Sequence, residues 1–383
     1  MWKVRPGDKQ GILPLVMAHL SFQRVGLAIA TGVLMFVFGF VLRDLIIKSE
    51  VNVQLLSALP ASQEKEPDNP YPPFRFSALA QQSFTSQPLY VLEELETNPQ
   101  FNSYLVAWDV PELSGEGSKR VTGQLNIPSG SGPFPIIVMI RGYVEREEYQ
   151  TGIGTRNAAA AFARNGYITI SPDFLGYAGS DPESDDILLA RFARPVTVLQ
   201  LLKDLEQPRL RVDSMSIKAE DIADWVTALV FDGSHIGIWG HSNGGQIALS
   251  ILEITGKNYP TTLWAPVSKP FPYSVFYYSD DLDDGGKYIR QQLAFFENDL
   301  GNDVREYTIL QHPENITAPI QLHQGGADDA VPLKWSQQLD DVLTEKDVKV
   351  TFFTYPQADH NLQPNWDQVV QRDLQFFAKS LKE

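Results

Sequence analysis

The stretch His235–Ala248, His-Ile-Gly-Ile-Trp-Gly-His-Ser-Asn-Gly-Gly-Gln-Ile-Ala, constrains this chain more than any other. It begins as a short apolar run and continues as a helix, with Gly240-His241-Ser242-Asn243-Gly244 at the join. A strand that turns into a helix within so few residues leaves no room for a Cβ at the flanking positions and holds the serine in strained backbone. The strain lifts the hydroxyl clear of the sheet, and the amides of the new helix favour negative charge at the same point. Ser242 is therefore the candidate nucleophile. An ordinary glycine-rich turn is the alternative, and the strand before and helix after it weigh against that reading.

The flanking pattern extends this local reading to a fold. Tyr104–Trp108 and Val121–Ile127 alternate as an antiparallel pair does at a sheet edge. Ile136–Ile140 is apolar throughout, as a central strand buried on both faces requires. An alanine-rich helix, Asn157–Arg164, and a strand at Tyr167–Ile170 follow. Ile222, Trp225, Val226 and Leu229 mark a helix leading into the serine strand. Further strands are expected at Thr262–Trp264, at Ile320–His323 and around Val348, Val350 and Phe352. A helix from Trp366 to Leu381 closes the chain. Strands alternating with helices predict an α/β fold with a doubly wound, mostly parallel sheet, whose ligands bind at the carboxyl ends of the strands. Ile187–Met215 and Phe271–His312 break the alternation and read as insertions on that side. The second reads as a cap, and Tyr277 and Tyr278 within it, with Trp264 at the end of the preceding strand, are candidate substrate contacts. The plainer reading is that the aromatics pack the cap and Asp280, Asp281, Asp283 and Asp284 form a solvated edge.

A serine hydroxyl needs a base, and the base needs a carboxylate to fix its tautomer. In this fold the chain order is serine, acid, histidine, the last two on loops after the final strands. Of six histidines, only His360 follows a terminal strand. His19 lies in the N-terminal arm, His235 opens the serine strand at its wrong end, His241 adjoins the serine, and His312 and His323 precede or occupy a strand. For the acid, Asp328 and Asp329 both fit the loop after Ile320–His323, and Asp359 is weaker because adjacent side chains rarely face each other. The spacing of His323, these aspartates and His360 matches no usual metal motif, so no metal is expected. The oxyanion needs two donors. The Asn243 amide is one, and the loop after Ile140 supplies the other, most directly the Tyr143 amide, with its phenol as an alternative.

The N-terminus is a separate matter. Val25–Leu42 carries no charge and spans roughly 27 Å as a helix, close to a bilayer core of ~30 Å. Lys3, Arg5, Lys9 and Arg24 precede it. A cleaved signal peptide is the rival, disfavoured by the long preceding arm and the lack of a clean cleavage site. The expectation is a cytoplasmic arm over 1–24, a single-pass anchor over 25–47, a Pro- and Gln-rich linker or strap over 48–100, and an extracytoplasmic domain over 101–383 with its cap at about 271–312. The net charge of −16 argues against nucleic-acid binding, and the absence of cysteine excludes thiolate chemistry.

Three motifs in order resemble the catalytic domain of the prolyl oligopeptidase family of serine peptidases, within the α/β-hydrolase superfamily. They are Asp173-Phe174-Leu175-Gly176-Tyr177-Ala178-Gly179-Ser180, Gly-His-Ser-Asn-Gly-Gly at Gly240–Gly245, and Gly-x-x-Asp-x-x-Val-Pro at Gly325–Pro332. The resemblance implies that the acid is Asp328, three positions after the glycine. It implies acyl transfer without metal or organic cofactor, on a short peptide, an aminoacyl amide or a small ester. The chain departs from the family at Arg141-Gly142, where His-Gly is common. The space before the first strand is also too short for the β-propeller that many members carry. Esterases and dienelactone-hydrolase-like enzymes are relatives without one, and a surface binding protein on the same fold is the non-catalytic alternative.

Overall fold

The computed structural model describes residues 68–213, 230–279 and 284–382. The arm over 1–24, the span over 25–47, the first part of the linker, the Ile222–Leu229 helix and Asp280, Asp281 and Asp283 lie outside the described residues. Among the described residues no helix is long and apolar enough to cross a membrane.

Residues from Asn69 onward form one unit. A short helix, α1 (Phe76–Gln81), precedes three strands, β1 (Leu89–Thr97), β2 (Phe101–Pro111) and β3 (Ser118–Pro128). Then come β4 (Phe134–Ile140), α2 (Arg156–Arg164), β5 (Ile168–Pro172), α3 (Ile187–Glu206), β6 (Leu210–Val212) and β7 (Phe231–His241). The serine-bearing turn leads into α4 (Asn243–Thr255), followed by β8 (Thr261–Trp264), α5 (Tyr273–Ser279) and α6 (Lys287–Ala294). The chain ends with β9 (Ile320–Gly325), α7 (Leu333–Glu345), β10 (Val350–Tyr355) and α8 (Trp366–Leu381). The strands form one ten-stranded sheet in the order β10-β9-β8-β7-β4-β5-β3-β2-β1-β6. Neighbours from β10 to β5 run parallel, and β3, β2 and β1 add an antiparallel flank.

The order locates the ligand side before any side chain is considered. From β4 the chain steps to β5 on one side, then returns through α3 to β7 on the other side of β4. The carboxyl ends of β4 and β7 therefore flank the point where the winding reverses, and a crevice opens there. Arg141-Gly142 follows β4, and Ser242 follows β7.

Two expectations need correction. The segment read as linker or strap is part of the domain from Asn69: Tyr71, Phe74 and Leu79 are buried in the main core, and β1 pairs with β2. Its prolines misled the reading. Pro72 and Pro73 open a single 3-10 turn, where a missing N–H costs nothing, and the elements lie after them. Ile187–Met215 is likewise no insertion. Most of it is the 20-residue α3, capped by Asp186 accepting from the Leu188 and Leu189 amides at 2.9 and 3.1 Å. This helix is apolar nearly all round because it lies between the sheet and α4, so no single stripe marked its face.

Candidate active site

Ser242 sits at φ 54°, ψ −120°, between β7 and α4. That positive φ is costly for a residue with a Cβ, and neighbours hold it on both sides. The Ser242 amide donates to the Trp264 carbonyl at 2.9 Å, while its own carbonyl accepts from Gly245 and Val267 at 3.0 and 2.9 Å. Gly244 is required by close approach, since a Cβ there would lie 2.0 Å from the Ile140 carbonyl oxygen. Asn243 is the first residue of α4, so its amide has no intrahelical acceptor and faces the crevice end of the helix.

The imidazole side is assembled from two loops. His360 donates from Nδ1 to Asp328, at 2.9 Å to Oδ2 and 3.1 Å to Oδ1. The Asp328 side chain is fully buried, and it also accepts from the Ala330 and Val331 amides and from Gln324 Nε2, at 2.9, 2.8 and 2.7 Å. Burial works to raise this carboxyl, but the His360 and amide hydrogen bonds outweigh it and hold it below the usual range. With Nδ1 committed to the carboxylate, Nε2 is the ring atom left for a proton transfer. Asp329 is exposed. Asp359 instead shapes the His360 loop, accepting from the Asn361 and Gln363 amides at 2.9 Å each. The Ser242 hydroxyl forms no hydrogen bond to His360 among the described residues; the two are linked through His241. Its Nε2 donates to the His360 carbonyl at 3.0 Å, and the two rings lie 4.8 Å apart. Burial and the neighbouring His360 push His241 down to about 4, which keeps it a neutral donor.

The oxyanion side carries the departure at Arg141. A Cβ built on Gly142 would fall 2.9 Å from Ser242 Cβ, so this loop packs directly on the serine. Arg141 is buried at 5 % exposure and holds the loop from beneath. It donates to the Gly142 carbonyl and to the Asp173 carbonyl, both at 2.9 Å, while its guanidinium lies 4.3 and 4.1 Å from the centres of the Tyr149 and Tyr177 rings. The Asp173 carboxylate accepts from Tyr149, Thr122 and Thr151 hydroxyls at 2.6, 2.6 and 2.8 Å. Thus the Asp173 motif and Arg141 form one buried support under Gly142-Tyr143. The Tyr143 side chain is 63 % exposed and its phenol donates to Glu145 at 2.8 Å. Gly142, not the Tyr143 ring, is what this loop packs on the serine. Sequence reasoning missed Arg141, Tyr149 and Thr151 as supports; the one available signal was a charged residue ending an otherwise apolar strand.

The candidate substrate contacts divide. Tyr278 donates to the Ala330 carbonyl at 3.1 Å, and Tyr277 packs on Trp335 with centroids 4.8 Å apart, so both stand on the rim beside the Asp328 loop. Trp264 needs correction. It is 4 % exposed, donates from Nε1 to Asp373 at 2.7 Å and lies among Trp239 and Trp366. Only its carbonyl reaches the serine turn. Asp373 also accepts from His323 at 3.0 Å and from Gln321 at 2.9 Å, which absorbs His323 into a buried network beneath the site. Asp284 caps α6, accepting from the Gly286 and Tyr288 amides at 2.8 Å each.

The parallel sheet, the winding reversal at β4 and β7 and the strained serine at its mouth define an α/β-hydrolase fold. Residues 216–383 match the prolyl oligopeptidase family, in agreement with the resemblance in the sequence. Over 158 residues the chain is 29% identical to a Schizosaccharomyces pombe protein named as a dipeptidyl aminopeptidase, covering 40% of this chain and 17% of that one. Among solved structures, a Mycobacterium tuberculosis puromycin-hydrolyzing peptidase is 16% identical, with 73% of this chain and 39% of that one covered at a TM-score of 0.49. A Pyrococcus horikoshii acylaminoacyl peptidase is also 16% identical, covering 79% and 51% at 0.49. A Pyrococcus furiosus esterase is 13% identical, covering 78% and 100% at 0.49. The chain thus spans well under two thirds of the length of the peptidases named here.

Proposed function

We propose that this chain is a serine hydrolase working by acyl transfer, with Ser242 as nucleophile, His360 as base and Asp328 as the group that orients His360. The observation carrying this reading is the junction of a positive-φ serine with a carboxylate-bound imidazole at the carboxyl ends of one sheet. Ser242 Oγ attacks the substrate carbonyl, and its proton passes to His360 Nε2. The carbonyl oxygen takes the negative charge between the Asn243 and Tyr143 amides. His360 then returns the proton to the leaving amine or alcohol as its bond to carbon breaks. Water, deprotonated by the same ring, releases the acid and restores the serine. The resting structure leaves the serine–imidazole hydrogen bond unmade, and such bonds often tighten only when substrate binds.

The substrate class proposed is a short peptide or aminoacyl amide, in keeping with the family match. The alternative is a small ester, favoured by the narrow cavities beside Asn243. Labelling with a fluorophosphonate tests the chemistry: the full chain should react and Ser242→Ala should not. Equal labelling of both would sink the reading. Turnover of aminoacyl anilides against p-nitrophenyl acyl esters decides between the bonds, and turnover of esters alone would remove the peptidase.

Residues 25–47 are proposed to anchor the chain in a membrane, with the hydrolase on the extracytoplasmic side. This rests on the uncharged run and the basic residues before it. Release of the protein from membranes by alkaline carbonate would overturn it.

A further inference from the structure

Away from His360, the crevice is bounded by α3, and α3 carries two arginines on one face. Arg191 and Arg194 are three residues apart, so their side chains rise together, an arrangement that costs stability for like charges in the absence of an anion. Both line a cavity of ≈ 40 Å³ whose wall is closed by Asn243 and Gln246 of α4 and Phe271 of the cap. Arg194 and Asn243 also line a smaller cavity of ≈ 10 Å³ beneath Gly142 and Tyr143. The charged pair therefore adjoins the segment expected to hold the oxyanion.

The charges around this pair do not balance. Among the described residues Arg191 donates only to neutral groups, the Gln246 amide oxygen and, at 3.4 Å, the Ser274 hydroxyl, and it lies 5.5 Å from the Phe271 ring centre. Arg194 has one carboxylate within reach among the described residues, Glu183 at 4.0 Å, and Glu183 is already paired with Arg146. Arg194 and Arg146 thus share one carboxylate, and Arg191 has none among the described residues. Burial and the adjacent Arg194 press Arg191 down to about 9, a cost that an anion between the two would relieve.

We propose that Arg191 and Arg194 form a carboxylate subsite, and that the substrate is an acyl group bearing a terminal carboxylate. The proposal rests on the hydrolase reading for its placement. His360 must protonate the leaving group, so the leaving group lies on the imidazole side, and neither cavity is lined by His360 or Asp328. What enters beside Asn243 is then the acyl half. The space suits the carboxylate itself, since about 10–15 Å³ by this measure holds one water and ≈ 40 Å³ holds roughly three heavy atoms; the length of the spacer to Ser242 is what the succinate and glutarate pair measures. Paired guanidinium forks suit a planar carboxylate, which each can grip through two N–H groups.

The test compares mono-p-nitrophenyl succinate and glutarate with p-nitrophenyl butyrate on the full chain. The expected result is a kcat/KM about tenfold or more higher for the acidic acyl groups, lost in Arg191→Gln and Arg194→Gln while butyrate turnover stays within about threefold. Arg191→Lys should keep part of the preference. Free glutarate, read by calorimetry, should bind the parent and not the Gln variants, a readout independent of catalysis. Fluorophosphonate labelling of each variant reports that the site remains folded. Equal preference in parent and variants, with no glutarate binding, would overturn the subsite even if labelling succeeds. Glutarate binding without labelling would leave the subsite standing and reject the hydrolase.

Discussion

The two sides of Ser242 are built by different means. On the imidazole side, Asp328 and His360 stand on loops directly after β9 and β10, and each is held at a single group: the Ala330 and Val331 amides and Gln324 hold the carboxylate, and the His241 ring holds the His360 carbonyl. A groove of ≈ 370 Å³ lies beside that loop, lined by Asn361, Gln363 and Trp366. On the arginine side, Arg191 and Arg194 come from the middle of a helix and Arg141 from the end of β4, and carbonyls, amides and aromatic rings of other elements surround them. The space there is about a tenth as large. Strand ends supply a fixed frame for proton transfer, whereas helix faces supply a shaped and charged wall. The contrast fits a division between chemistry on one side and recognition on the other.

The largest expected effect tests the imidazole side. Asp328→Asn keeps an acceptor for the Ala330 and Val331 amides but presents an N–H where His360 Nδ1–H must donate. The ring is then driven to the wrong tautomer, and kcat should fall by about 10⁴-fold with the fold intact. A loss under tenfold would show that Asp328 does not orient the base. Next in size is Arg141→Lys, which tests whether the opposite side reaches the chemistry through its support. A lysine cannot serve the Gly142 and Asp173 carbonyls together or lie flat between Tyr149 and Tyr177. The Tyr143 amide then loses its fixed place, and kcat should drop about 10–100-fold with KM changed little, less than the full loss of an oxyanion donor. A rise in KM alone would make Arg141 part of recognition instead, and the contrast between the sides would sharpen.

The same difference explains what could be read in the sequence. The places of Ser242 and His360 just after β7 and β10 were legible because chain order and distance from a strand end are visible in a string of letters. Spacing alone left Asp328 and Asp329 open, and only the buried carboxylate on His360 separates them. The alternation of apolar strands and helices likewise led to the parallel sheet. Trp264 failed as a substrate contact because position next to the site says nothing about which face of β8 a ring takes, and Asp373, over a hundred residues on, decides that. Residues 69–100 failed because their prolines fall at a first turn (Pro72, Pro73) or between elements (Pro88, Pro99), while Tyr71 and Phe74 carry the burial. The arginine pair was hidden for a third reason. In α3 apolar residues surround the helix, so two charges within it drew no notice until Asn243 and Phe271 were folded against them.

The smallest effects separate the sides by pH. His241 lies on the imidazole side, where burial and His360 lower it from 6.5 to about 4. The folded state therefore binds fewer protons than the unfolded chain between those values. Its contribution to stability is present above about 6.5 and is lost as the pH falls through about 4. Glu253 works in the opposite sense. It lies at the far end of α4, holding the end of the cap through the Leu310 and His312 amides, and burial raises it from 4.5 to about 7. Here the folded state binds more protons, so the contribution is present below about 4.5 and is lost as the pH rises through about 7. Melting curves from pH 4 to 8 should accordingly show Glu253→Gln flattening the loss toward neutral pH and His241→Gln flattening the loss toward acid. Each should move Tm by about 2–4 °C for every kcal/mol involved. If both variants flattened the same limb, the two buried groups would be titrating as one site, and the division between the sides would not extend to their supports.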